Sequence, residues 1–388
     1  MNQVIKNVEK FKPLRSHSIR DFSDRISILS VVFLLVAAFI ISNKTYYRNP
    51  LQCYTAIHPK SKNFNKFNKA YIWTHGTIPK SSISNKFPET KQQWITLYDE
   101  FGIHHYQWIP FLLILLAILI YIPILVWDTC CKSAVRIDLV TLINEARRAL
   151  YFKDEFKQKC VEQISMSIRL ILSNKERKTG LITRIRKKIT NFILAHTFSL
   201  SGKNFLFSTY IGLKLLSIIS CLSQLVMLHF VFNINLVSII DLIRGQPNDI
   251  STAFPIDTYG LISDLRLLGS ENFYYSECRL TVNMYNEKLF VLIWFGLVML
   301  VMFHVVSILV WLNRILMTHK RLRIVKKLFR VKGVDIPDRN NLNKFVSDFL
   351  KIDGIFVINM LSRNTGDLIT SDVVHDLWTN YCSELSIY

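Results

Sequence analysis

Residues 105–127 read HYQWIPFLLILLAILIYIPILVW, and this stretch decides the fold. From Ile109 to Trp127 no charge interrupts the apolar run. At 1.5 Å rise per residue a helix of that length covers about 28 Å, close to the hydrocarbon thickness of a bilayer. Tyr106 and Trp108 stand just ahead of it, where amphipathic rings anchor at a membrane interface. Pro110 falls in the first turn, where a missing N–H costs little. Pro123 lies deep inside and frees the carbonyl of Leu119, so a kink is expected there.

Three further runs have the same character: 26–42, 208–233 and 289–312. They divide the chain into an N-terminal segment 1–25, spans 26–42, 106–127, 205–233 and 289–312, loops 43–105, 128–204 and 234–288, and a C-terminal region 313–388. The first run follows a largely polar segment of 25 residues and lacks a small-residue cleavage site, so it reads as a retained helix rather than a signal peptide. Segments 1–25, 128–204 and 313–388 hold 34 Lys and Arg, against 13 in the other two loops. By the positive-inside rule both termini and the middle loop face the cytoplasm. The net charge of +20 is then explained by cytoplasmic retention and contact with anionic membrane lipids, and nucleic acid is not an expected partner.

The cytoplasmic segments carry helical periodicity in IDLVTLINEARRALYF, EQISMSIRLILS, NLNKFVSDFLKIDGIFVINML and TSDVVHDLWTNY, the last with Thr370 or Ser371 as its expected N-cap. The basic stretch NRILMTHKRLRIVKKLFRVKG is helix-compatible and is ended by Gly333 and Pro337. The expected fold is an all-α membrane protein. It has four transmembrane helices, two extracellular loops with a little β structure, and a helical cytoplasmic domain built from the middle loop and C-terminus.

Enzymatic motifs are absent: there is no P-loop, GxGxxG, HExxH, GxSxG or CxxC, so neither catalysis nor a cofactor or metal is expected. The spans read as free of Asp and Glu, with Lys214, His229 and His304 as their ionisable groups, which disfavours an ion-coupled transporter. Cys130 and Cys131 follow the second span, where palmitoylation and unmodified thiols both fit. His104 and His105 read as a solvated interfacial pair. Cys278, outside by topology, favours a disulfide over a free thiol or a metal ligand.

Several motifs resemble the innexins, the gap-junction proteins of invertebrates and relatives of pannexins. Tyr106, Gln107, Trp108 and Pro110 match the family's YQW-x-P, and Asn286, Glu287 and Lys288 its NEK ahead of the fourth span. Asp353, Gly354, Phe356 and Val357 match DG-x-F-V, Gly366, Asp367 and Leu368 match GDL, and Asp24 and Arg25 fit the start of the first span. The resemblance covers about residues 15–381, with the middle loop matching least.

It implies a subunit of a ring, an octamer in the family, that surrounds a wide pore and docks with the hemichannel of an apposed cell or mixes with other innexins. Ions and small metabolites would pass by diffusion, with the N-terminal segment folded into the pore and Asn2, Val4 and Ile5 lining it. The family's two loop disulfides imply a Cys53–Cys278 bond here, while the other pair is replaced, at Ile72 and an expected partner position Tyr259. That loss leaves a second expectation open, a non-conducting regulatory or adhesive subunit.

Overall fold

In the computed structural model the described residues are 21–47, 51–54, 62–83, 87–133, 139–151, 154–172, 205–245, 249–267 and 270–385. Asn2, Val4 and Ile5, the loop beyond residue 172, and the side chains of Cys130 and Cys131 lie outside them. Among the described residues four helices are long and apolar enough to cross a membrane: α1 (Phe22–Ser42), α4 (Ile109–Ser133), α7 (Phe205–Phe232) and α10 (Thr281–Leu316). Their flanks are helical beyond the apolar runs because a helix ends at a cap or breaker, not where hydropathy falls.

Contacts divide the chain into two compact units. One comprises Ser27–Tyr121 and Ile219–Val301. Its loops form a four-stranded antiparallel sheet in the order β1-β4-β3-β2, from β1 (Leu51–Tyr54), β2 (Ile78–Pro79), β3 (Asp257–Leu267) and β4 (Ser270–Leu280). Helix α2 (Lys62–His75) packs against β1 and β3. Helix α3 (Lys91–Phe101) contacts β2 and begins at Thr90, whose hydroxyl accepts from the Gln93 N–H while the Gln93 side chain returns to the Thr90 N–H. That reciprocal capping box satisfies two donors that the first turn leaves unpaired. Two short helices, α8 (Leu236–Arg244) and α9 (Asp249–Ala253), link α7 to β3.

The other unit comprises Met1–Ile26, Ile122–Ile218 and Met302–Tyr388. Here α5 (Leu139–Ala149), α6 (Asp154–Leu172), α11 (Thr318–Lys332), α12 (Arg339–Lys344), α13 (Lys351–Thr365) and α14 (Asp367–Leu385) surround one apolar core. That core joins Trp127, Tyr210 and Trp311 of the spanning helices to Phe356 of α13, with ring centroids 5.1–6.5 Å apart. Helix α11 ends at Gly333, whose φ of +75° is the left-handed cap that suits glycine.

The last helix corrects an expectation. It starts at Asp367 rather than after Thr370 or Ser371, and both of those hydroxyls bond back to carbonyls one turn earlier, at Gly366 and Leu368. Gly366, at φ +89°, separates α13 from α14, so the GDL motif is the helix junction.

Candidate functional site

The sheet of the first unit carries the loop disulfide. Cys53 and Cys278 lie directly opposite in the antiparallel β1–β4 register, and their Sγ atoms are bonded. Side chains alternate between faces along a strand, so Thr258, Gly260, Ser276 and Cys278 share one face of β3 and β4. Helix α2 covers that face. Asn68 donates to the Ser276 hydroxyl at 3.0 Å, and Ile72 is fully buried.

The residue facing Ile72 is Gly260, not Tyr259. A β-carbon added at Gly260 would come within 2.5 Å of the Ile72 Cδ1 and Cγ2. Tyr259 points to the opposite face, where Ile78, Trp94 and Leu261 surround it and the Phe87 and Trp94 rings stand 5.8 Å away. Beside the disulfide, therefore, a branched aliphatic side chain presses onto the bare backbone of the neighbouring strand. Around the existing bond, the Lys80–Glu277 and Arg279–Asp257 pairs, at 3.8 and 3.3 Å, are about 60% exposed and contribute little to stability.

The motif residues have structural work. The carbonyl of Trp73 lies in the last turn of α2, where no backbone N–H is available. It accepts from the Tyr106 hydroxyl at 3.3 Å and from the Gln107 side-chain amide. The Gln107 carbonyl in turn accepts from the Tyr46 hydroxyl at 2.7 Å. Tyr106 is buried, whereas Trp108 is 65% exposed. Asn286 is buried and donates to Asn283, which donates to the Pro255 carbonyl at 2.8 Å. Glu287 is buried and Lys288 exposed beside it.

The two histidines part company. His104 is exposed and meets the Tyr98 hydroxyl at 3.2 Å, but His105 is half-buried against Phe232 and Phe254. Burial lowers the His105 pKa, opposed by a bond with the Ala253 backbone. Among the described residues no cluster of His, Cys, Asp or Glu could hold a metal.

Helix α4 runs through Pro123, and the carbonyl of Leu119 that the proline frees accepts from the Ser220 hydroxyl of α7 at 2.8 Å. Helix α7 is itself held at its start by Asp353. Its carboxylate accepts from the Leu206 and Phe207 N–H groups at 3.2 and 3.1 Å, a cap supplied from a distant helix. Burial raises the Asp353 pKa, against the pull of those two donors. The DG-x-F-V motif thus joins α13 to the third spanning helix, and a β-carbon added at Gly354 would stand only 3.2–3.3 Å from Leu350 and Leu172.

The spanning helices are not free of carboxylates. Because α1 begins at Phe22, four residues ahead of the apolar run, Asp24 lies in its first turn and is buried. Lys214 of α7 donates to it at 2.5 Å and also to Ser23. A buried cation matched to a buried anion accounts for both charges.

A family model described as Innexin matches residues 20–381. Innexin unc-9 of Caenorhabditis elegans is 26% identical over 381 residues, covering 96% of this chain and 94% of the relative. Innexin-19 of Caenorhabditis briggsae is 26% identical over 401 residues, covering 94% and 87%. Innexin-10 of Caenorhabditis elegans is 24% identical and covers 93% of this chain and 65% of its own length. With four spanning helices, the loop disulfide and a family match over nearly its whole length, this chain belongs to the innexin family.

Proposed function

We propose that the chain is a subunit of an oligomeric large-pore channel that passes ions and small metabolites passively, between cells or across the plasma membrane. The observation that carries this is the family match from residue 20 to 381, which takes in all four spanning helices and the sheet that links the loops. In this reading loops 43–105 and 234–288 face outside, loop 128–204 and both termini face the cytoplasm, and membrane lipid surrounds the spans. Copies assemble as a ring, an octamer as in the family, with the N-terminal segment and Asn2, Val4 and Ile5 at the pore. Selectivity then depends on pore width and lining charge.

One feature favours the undocked form. The two loops are joined by a single covalent bond, Cys53–Cys278, where the family pattern has two. The second contact, Ile72 on Gly260, is noncovalent. We therefore expect hemichannel activity to be stronger than cell-to-cell coupling. Dye uptake by single cells and dye transfer between paired cells, both expressing only this protein, test the two parts. Uptake with weak transfer fits the proposal; surface protein without uptake contradicts the channel reading, and transfer as efficient as uptake contradicts the preference.

A further inference from the structure

The start of the first spanning helix is held by a polar network that the sheet and its disulfide do not explain. The Asp21 carboxylate accepts four hydrogen bonds, two on each oxygen. Oδ1 takes the Phe22 N–H at 2.8 Å and the Arg363 guanidinium at 2.7 Å. Oδ2 takes the Ser307 hydroxyl at 2.7 Å and the Trp311 indole N–H at 2.9 Å. The Asp21 N–H then donates to Asp24, which holds Lys214. One short chain of contacts therefore links α1, α7, α10 and α13.

The members differ in access to water. Lys214, Ser23 and Trp311 are fully buried and Asp21 and Asp24 nearly so, but the Arg363 side chain keeps 29% of its surface exposed. Its guanidinium also lies over the Trp311 ring, 4.7 Å from the centroid. Arg363 is carried by α13, the helix whose Asp353 caps α7. Withdrawing Arg363 removes the ion-pair partner of a buried carboxylate, an unfavourable change that weakens the hold on Asp21 and on the start of α1. Coupling between distant parts of a protein requires an element that can be biased from one end, and a buried carboxylate held by a partly exposed cation on another helix is such an element.

We propose that Asp21 and Arg363 are positioning residues for conduction, through which α13 and the helical unit hold the start of the first span in its conducting arrangement. This rests on the channel reading above. The ion pair transmits the packing of the helical unit to α1 without itself touching a permeant ion.

The test measures current per surface subunit and its voltage dependence for wild type, Arg363→Ala, Asp21→Asn, the double variant and Arg363→Lys. Lys327→Ala serves as control, because it breaks another ion pair of the same unit, with Asp367. Both single variants are expected to shift the open–closed equilibrium by about five- to 150-fold, the usual range of coupling between sites. The double variant is expected to be no worse than either single one, Arg363→Lys to retain most of the activity, and Lys327→Ala to match wild type. Unchanged gating at normal surface levels, or additive effects, overturns the proposal. Amide hydrogen exchange of residues 21–28 in the purified full-length protein supplies a readout independent of current. Exchange is expected to rise in Arg363→Ala and not in Lys327→Ala; equal protection overturns the linkage. If wild type carries no current, the channel reading falls and the exchange result alone decides the linkage.

Discussion

Ile72 and Gly260 form a close side-chain-to-backbone contact between a helix and a strand of the sheet unit. A cysteine Sγ at 72 would take the place of an Ile72 γ-carbon that now presses on residue 260, so Ile72→Cys with Gly260→Cys places two thiols within bonding reach. Non-reducing peptide mapping is expected to find that bond alongside Cys53–Cys278; Ile72→Cys with Tyr259→Cys is expected to stay reduced, since Tyr259 faces the other way. Ile72→Ala empties a fully buried site and is expected to cost about 2–5 kcal/mol, read from thermal unfolding. Cys53→Ser removes the covalent link and is expected to cost about 2–4 kcal/mol. That Cys53 and Cys278 pair was legible only through the family resemblance, whose pairing implied this bond. That Gly260 faces Ile72 was not legible. A strand's side chains alternate with a period of two, so a slip of one residue exchanges the faces, and only the β3–β4 register fixes which it is.

The elements carry their own tests. Pro123 leaves a carbonyl that Ser220 takes up, so Ser220→Ala strands a part-buried acceptor and is expected to cost about 1 kcal/mol. Pro123→Ala is expected to make Ser220→Ala nearly neutral, because the Leu119 carbonyl regains a backbone partner; thermal unfolding of the four variants measures the coupling. In the helical unit, Lys327 and Ser362 hold the Asp367 carboxyl below its ordinary pKa, and Asp372 is lowered because its bonds with Lys157 and Lys332 outweigh burial. An unfolded chain takes up protons before these two do, so their contribution is full above about pH 4 and is lost as pH falls through their lowered values. Asp353, raised by burial, acts in the opposite sense. Unfolding temperature measured down the acid range is therefore expected to fall less steeply for Asp372→Asn with Asp367→Asn than for wild type. The sequence showed the spans as apolar runs, and helical spacing marked most of α5, α6, α13 and α14. The start of α1 escaped, since hydropathy sees Asp24 as outside the run and gives no sign of its partner Lys214, 190 residues away. The distant cap of α7 by Asp353 was hidden for the same reason.

At the scale of the whole molecule, the family motifs are junctions rather than reactive groups. Tyr106 and Gln107 close the end of α2, Asn286 steadies Asn283 at the start of α10, Asp353 caps α7, and Gly366 separates the last two helices. A passive channel needs such rigid joints and a defined lumen, not a catalytic centre, which is why function was legible here mainly through the resemblance and the span pattern. The central claim is that this chain makes a conducting pore. Whole-cell conductance in cells without other innexins, normalised to surface-labelled protein and read with uptake of a small dye, tests it most directly. The account predicts a weakly selective conductance together with dye uptake, both lost when Cys53 is replaced by Ser. Abundant wild-type protein at the surface, assembled in rings and passing neither current nor dye, would contradict it.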